Sequence, residues 1–205
     1  ALLAGEGEPL LLLHGQGGSL ENFRHNVGAL AQRYRVIAID FWWHGLSAKP
    51  PLDGPLVPRL VEQVTEVIDE LGIGPCHIEG QSQGGWVAAT LALQHPELIR
   101  RLVLTTPTGL VPVLDPVDPA RLDAQLQSQL DILADPTDDA VRRRMSGLVS
   151  DFSVIDDEQI ALRSWFMRHP EVNAGMQAAI TAYLSPANQA LRLGPEQLAR
   201  LTVPT

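Results

Sequence analysis

The sequence has one cysteine, no apolar run of transmembrane length, no long basic cluster, and no grouping of His, Cys and carboxylates at metal-ligand spacing. Each absence removes a class of protein. A lone thiol cannot close an internal disulfide, and the apolar surroundings of Cys76 predict an inert buried group rather than a reactive one. A net charge of −9 without a long basic stretch argues against nucleic acid and anionic membrane surfaces as partners. No segment is long and apolar enough to span a bilayer as a helix, so no membrane partner is expected. The first residues, Ala1 to Gly7, lack the basic start and long apolar core of a secretory signal, which makes the cytoplasm the expected location. Neither a metal nor another cofactor is expected.

What remains is a chain of 205 residues with 45% apolar content, enough for one globular core with an inserted subdomain. Pro9 to Leu13 is an unbroken apolar run, the pattern of a parallel strand covered on both faces. A helix is expected from Leu20 to Arg33, and strands at Arg35 to Asp40, Cys76 to Glu79 and Leu102 to Thr106. Leu60, Val61, Val64, Val67, Ile68 and Leu71 give a helical stripe that ends at Gly72. Strands alternating with helices of this length predict a doubly wound, mostly parallel α/β sheet.

One stretch carries chemistry. Gly80-Gln81-Ser82-Gln83-Gly84 follows the short apolar run and leads into the small-residue helix that starts at Trp86. A G-x-S-x-G between strand and helix is a nucleophile elbow. Its serine is pushed into a strained backbone conformation, and the glycines let strand and helix approach closely. Ser82 is therefore the candidate nucleophile. Upstream, His14-Gly15-Gln16-Gly17-Gly18 is a glycine-rich turn whose backbone N–H groups suit half of an oxyanion hole. His44, in the loop after Asp40, reads as structural, because no carboxylate is spaced to pair with it.

After Gly109 the texture changes. Helical segments are expected near 119–134, 137–150, 156–168 and 170–184, with a short helix at 195–201. Residues 1–112 read as the core with the elbow, 113–194 as a helical lid, and 195–205 as an incomplete return to the core. Helical lids exclude water and shape a substrate pocket. In the third lid segment Trp165 and Phe166 are expected in the core and Arg168 in solvent.

These features together resemble the α/β-hydrolase superfamily over almost the whole length, and most of all its meta-cleavage product hydrolases, which split carbon–carbon bonds in ring-fission products of aromatic degradation. Three segments carry the closer resemblance: Asn22-Phe23-Arg24-His25-Asn26 after the turn, Thr106-Pro107-Thr108-Gly109-Leu110 after the strand that follows the elbow, and Asp157 to Arg163 in the lid. Gly17-Gly18 stands where that branch commonly has a Pro-Gly pair, and Gln83 where Met or Leu is usual. The resemblance implies Ser82 as nucleophile, the backbone N–H groups of Gln16 and Gln83 as oxyanion donors, and Asn22 and Arg163 as the binding groups for the oxygenated end of a small carbonyl or carboxylate-bearing substrate. Carboxylesterases and enol-lactone hydrolases share most of these features and stay open as alternatives.

The superfamily's acid and histidine follow later strands. The sequence stops at Leu201-Thr202-Val203-Pro204-Thr205, where such a strand is expected to begin, so both ends look cut and the C-terminal strands are expected to be missing. None of the six histidines falls where the base belongs, and this stretch alone is expected to have little activity. A non-catalytic ligand-binding or sensing protein is the reading from another class. An incomplete sheet would also leave apolar edges open to self-association.

Overall fold

The computed structural model describes residues 1–111 and 118–205. Five strands, β1 (Leu2–Ala4), β2 (Glu8–Leu13), β3 (Tyr34–Ile39), β4 (Cys76–Gln81) and β5 (Ile99–Thr105), form one sheet in the order β1-β3-β2-β4-β5. All neighbours are parallel except β1 against β3. The unbroken apolar run becomes the middle strand β2, with Leu11, Leu12 and Leu13 all buried, as a strand covered on both faces requires. Pairing of Leu13 with both Ile39 and Gly80 brings the carboxyl ends of β2, β3 and β4 side by side. The turn after Leu13 and the elbow after Gly80 therefore share one edge of the sheet.

Helix α1 (Arg24–Leu30) covers one face through Phe23, Val27 and Leu30 against Leu10, Leu12, Val36 and Ala38. The expected helix from Leu20 to Arg33 is shorter at both ends. It opens with a 3-10 turn over Leu20–Phe23, because Asn22 N–H bonds back three residues to the Ser19 carbonyl at 3.0 Å and the Leu20 N–H is taken by Asp40 Oδ1 at 2.8 Å. On the opposite face lie α2 (Leu56–Leu71) and α3 (Gln83–Gln94). The stripe on α2 is buried at Leu60, Val61, Val64 and Ile68, and Gly72 stops the helix in the left-handed region at φ 58°.

Four longer helices follow: α4 (Pro119–Ala134), α5 (Asp138–Ser146), α6 (Asp157–Arg168) and α7 (Pro170–Leu184), with single turns at Pro186–Gln189 and Pro195–Leu198. Their starts are set by side chains that satisfy free N–H groups. Asp118 accepts from Ala120 N, Thr137 from Ala140 N, and Asp156 forms a reciprocal cap with Gln159. The segment expected at 137–150 ends at Ser146. The expected boundary between 112 and 113 lies outside the described residues. At the far end of these helices, Leu193 N–H bonds to the Gly109 carbonyl at 2.7 Å and Val111 N–H to the Leu193 carbonyl at 3.0 Å. The chain thus comes back from its helices to the point from which it left the sheet. Buried Asn188 fixes that return, accepting from Val57 N–H at 2.9 Å and donating to the Tyr183 carbonyl at 2.9 Å.

One expected core residue is on the surface. Trp165 is 50% exposed, because α6 buries Ile160, Ser164 and Met167 at helical spacing and that phase turns position 165 outward. Phe166 is half-buried, and Arg168 is exposed, bonded to Asp138 at 3.3 Å. Cys76 is buried and its thiol is pushed up to about 11 by burial, which fits an inert thiol. Among the described residues no helix is long and apolar enough to cross a membrane.

Two local constraints hold the sheet edge. A Cβ at Gly84 would overlap the Leu13 carbonyl, and one at Gly80 would overlap the Gly84 backbone, so strand and helix meet backbone to backbone. The second constraint is His14, fully buried between two loops. Its Nδ1 lies 2.7 Å from the Gly15 carbonyl and its Nε2 accepts Phe41 N–H at 3.0 Å. Both bonds fit one neutral tautomer. Burial, then the neighbouring His44 ring, holds its pKa well below the usual 6.5.

Gly84→Ala is expected to destabilise the fold by about 3 kcal/mol. By contrast, Gly28→Ala, on α1 with open space around its Cβ position, is expected to stabilise it by roughly 0.5–1 kcal/mol. Denaturant midpoints of the two variants check the pair. The histidine makes a pH prediction. As pH falls below about 6.5 the unfolded chain takes up a proton at position 14 that the folded chain refuses, so this residue makes stability decrease as pH decreases. His14→Gln should flatten that slope by one proton, and an unchanged slope would contradict the assignment.

Candidate active site

Ser82 stands between β4 and α3 with φ 55° and ψ −116°. Such a conformation costs on the order of 1–3 kcal/mol and needs its surroundings to hold it. They do so through the backbone. Ser82 N–H donates to the Thr105 carbonyl at 3.0 Å, and the Ser82 carbonyl accepts from Gly85, Trp86 and Thr108 at 3.0, 3.2 and 3.1 Å. A Cβ at Gly15 would come 3.0 Å from Ser82 Cβ, so the turn after β2 lies directly against the serine. Gly17 keeps that turn open at φ 66°, and Gly18 closes it by donating to the Gly15 carbonyl at 3.0 Å. Among the described residues neither the Gln16 nor the Gln83 backbone N–H has an acceptor. Free N–H groups on two segments that meet at the serine are what an oxyanion needs.

The glycine turn is also where α6 meets the sheet edge. Arg163, on α6, donates through Nη1 to the Gly17 carbonyl at 3.1 Å and through Nη2 to Asn22 Oδ1 at 2.8 Å. Two of the residues singled out in the sequence, 141 positions apart, thus share a hydrogen bond. A Cβ on Gly18 would stand 2.6 Å from the Asn22 amide nitrogen, so a side chain there would push Asn22 from its place. Burial, then the charge of Arg144, lowers the Arg163 guanidinium to about 10, which still leaves it cationic at neutral pH. No hydrogen bond joins Ser82 to Asn22 or Arg163. The residue that spans the gap is Gln81. Its side chain lies against Gly15, and it lines a cavity of about 460 Å³ together with Asn22, Arg163, Glu79 and Met145.

No histidine takes the Ser82 proton among the described residues. His14 is committed to Gly15 and Phe41, and His44 Nδ1 to the Trp42 carbonyl at 3.0 Å. His25 accepts from Arg24, while His77 and His95 face Glu8 and Glu97. His169 packs its ring on Trp165. The structural reading of His44 agrees with its full burial beside the His14 ring.

Three residues of this region escape a sequence reading. Gln81 was signalled only by strand alternation, which puts 79 and 81 on one side of β4. Glu79 shares that side, and burial pushes its carboxyl up. Arg144 had no signal at all, being one of three consecutive arginines on α5. It is half-buried and donates to Gln129 Oε1 at 3.2 Å.

Residues 8–168 match the family described as alpha/beta hydrolase fold. The chain is 33% identical over 187 residues to the 2-hydroxymuconate semialdehyde hydrolase of Pseudomonas putida, which covers 90% of this chain and 62% of that protein. It is 36% identical over 168 residues to a dihydrolipoyllysine-residue acetyltransferase component of an acetoin cleaving system, also from Pseudomonas putida, over 78% of this chain and 45% of that protein. The chain therefore spans less than two thirds of the length of these curated relatives. Among solved structures, the 2-hydroxy-6-oxo-6-phenylhexa-2,4-dienoate hydrolase from Rhodococcus sp. strain RHA1 superposes with a TM-score of 0.81 at 26% identity, covering 98% of this chain and 73% of that one. With its parallel sheet, strained serine elbow and family match over residues 8–168, the chain belongs to the alpha/beta hydrolase fold family.

Proposed function

We propose that the complete protein is a serine hydrolase that cleaves a carbon–carbon bond in a vinylogous 1,5-diketone, a ring-fission product of aromatic degradation. The observation that carries this reading is the Arg163–Asn22 hydrogen bond at 2.8 Å beside the oxyanion turn. A cation fixed by a neutral amide, rather than by a carboxylate, keeps its charge for an anionic ligand. The similarity to the 2-hydroxymuconate semialdehyde hydrolase of Pseudomonas putida supports an oxygenated, carboxylate-bearing dienoate as the substrate class.

In this reading the dienol end of the substrate rests on Arg163 and Asn22 and takes up a proton on carbon to become a ketone. Ser82 Oγ attacks the distal carbonyl, giving up its proton to a histidine outside residues 1–205. The Gln16 and Gln83 N–H groups hold the resulting oxyanion. Collapse breaks the carbon–carbon bond, and the departing carbon's electron pair is received by the ketone formed in the first step. Water then releases the acyl group from Ser82. Residues 113–194 act as a lid that excludes bulk water while this happens. A ligand-binding protein without catalysis is the second reading, and it draws on the commitment of all six histidines to other partners.

Steady-state kinetics on two substrates test the proposal in the complete gene product. Arg163→Ala should lower kcat/KM on an anionic dienoate by about 100-fold, the loss of two hydrogen bonds from a charged group, and by no more than about threefold on a neutral aryl ester. Ser82→Ala should abolish turnover of both. Equal losses on dienoate and ester in the Arg163 variant would remove its assigned role, and wild-type protein inert on both would favour the ligand-binding reading.

A further inference from the structure

Three residues at the elbow carry buried polar atoms that nothing among the described residues satisfies. These atoms are Gln16 Nε2, both amide atoms of Gln83, and Trp86 Nε1. Gln83 is fully buried, and Trp86 is 1% exposed. A polar group shut away from water without a partner costs free energy, so a fold that keeps one needs a reason for it. Met or Leu, the usual residues at this position in the branch the chain resembles, would fill the space at Gln83 without that cost.

The placement of the two glutamines supplies the reason. Gln83 opens α3 and follows Ser82 directly, while Gln16 follows Gly15, where a Cβ would lie 3.0 Å from Ser82 Cβ. Each glutamine thus flanks the serine from its own segment. Each also has an unpartnered side-chain amide nitrogen besides its free backbone N–H. Side chains on a helix lean toward its N-terminus, which for α3 is Ser82. Gln83 and Trp86 stand three residues apart on one face of α3, yet they do not satisfy each other. The indole is fixed elsewhere, packed on Gly109 and set edge-on to the Tyr183 ring at 5.9 Å. The fold itself therefore makes no use of the Gln83 amide.

We propose that the side-chain amides of Gln16 and Gln83 are oxyanion donors in their own right, adding to the two backbone N–H groups of the same residues. This rests on Ser82 as the nucleophile and deepens that reading. The oxyanion of a tetrahedral intermediate has more than one lone pair to offer, and a donor without a partner in the resting site meets it without first giving up another bond. The neutral carbonyl of the ground state is a weaker acceptor and gains less, so the contribution falls on the transition state.

Gln83→Met in the complete protein tests the proposal, because it keeps the backbone N–H and the length of the side chain. On a neutral aryl ester kcat should fall about 100-fold, with KM changed by less than about threefold. Affinity for trifluoroacetophenone, whose carbonyl becomes an oxyanion when a serine adds to it, should fall by about the same factor as kcat. The melting temperature should rise by about 3 °C, since two unpartnered polar atoms leave the interior. Gln16→Met should repeat the losses in kcat and ketone affinity. If Gln83→Met does not fold, Gln83→Leu carries the same expectations. Wild-type kcat and ketone affinity in either variant, a loss confined to KM, or a lowered melting temperature in the position-83 variant would overturn the proposal while leaving Ser82 in its role. A wild-type protein that forms no ketone adduct would contradict the nucleophile itself, and the side-chain donors would fall with it.

Discussion

Three backbones meet at the carboxyl edge of the sheet with nothing between them. The Leu13 carbonyl occupies the space that a side chain at Gly84 would need, and Gly84 in turn occupies the space of one at Gly80. Everything chemical in the molecule depends on that approach. It forces Ser82 into its left-handed turn, aims the first turn of α3 at the serine, and lets the His14-Gly15 turn close over it. The strain at Ser82 is held by four backbone hydrogen bonds that tie it to β5, to its own helix and to Thr108, so the elbow is braced from three sides.

Helices α6 and α7 are joined to this edge by polar contacts as well as by apolar packing. Arg163 reaches from α6 to the glycine turn, and Tyr183 on α7 donates to Thr108 Oγ1 at 2.8 Å in the loop beside the elbow. Both contacts end on segments that touch Ser82 or its hydrogen-bond partners.

The sheet and its flanking helices were legible because β2, β4 and α2 follow simple periodicities, and the lid helices because Asp118, Thr137 and Asp156 announce their starts. Strand β1 was not legible, since three residues carry no pattern and its existence depends on pairing with β3. Trp165 was misplaced because an aromatic side chain suggests burial, while the phase of α6 is set by Ile160, Ser164 and Met167. In the site, Ser82 could be read from local spacing alone. The partnership of Asn22 with Arg163 came from resemblance, and only the structure shows that they touch. Arg144 was invisible, because whether an arginine has a carboxylate partner is a property of the fold and not of its neighbours in sequence.

The central claim is that the close-packed elbow makes Ser82 the nucleophile. The most direct measurement is peptide mass mapping of the complete gene product after exposure to a serine-directed organophosphorus fluoride. The account predicts a single covalent adduct, carried by the peptide that contains Ser82 and absent from Ser82→Ala. An unmodified protein, or an adduct on any other serine, would contradict it.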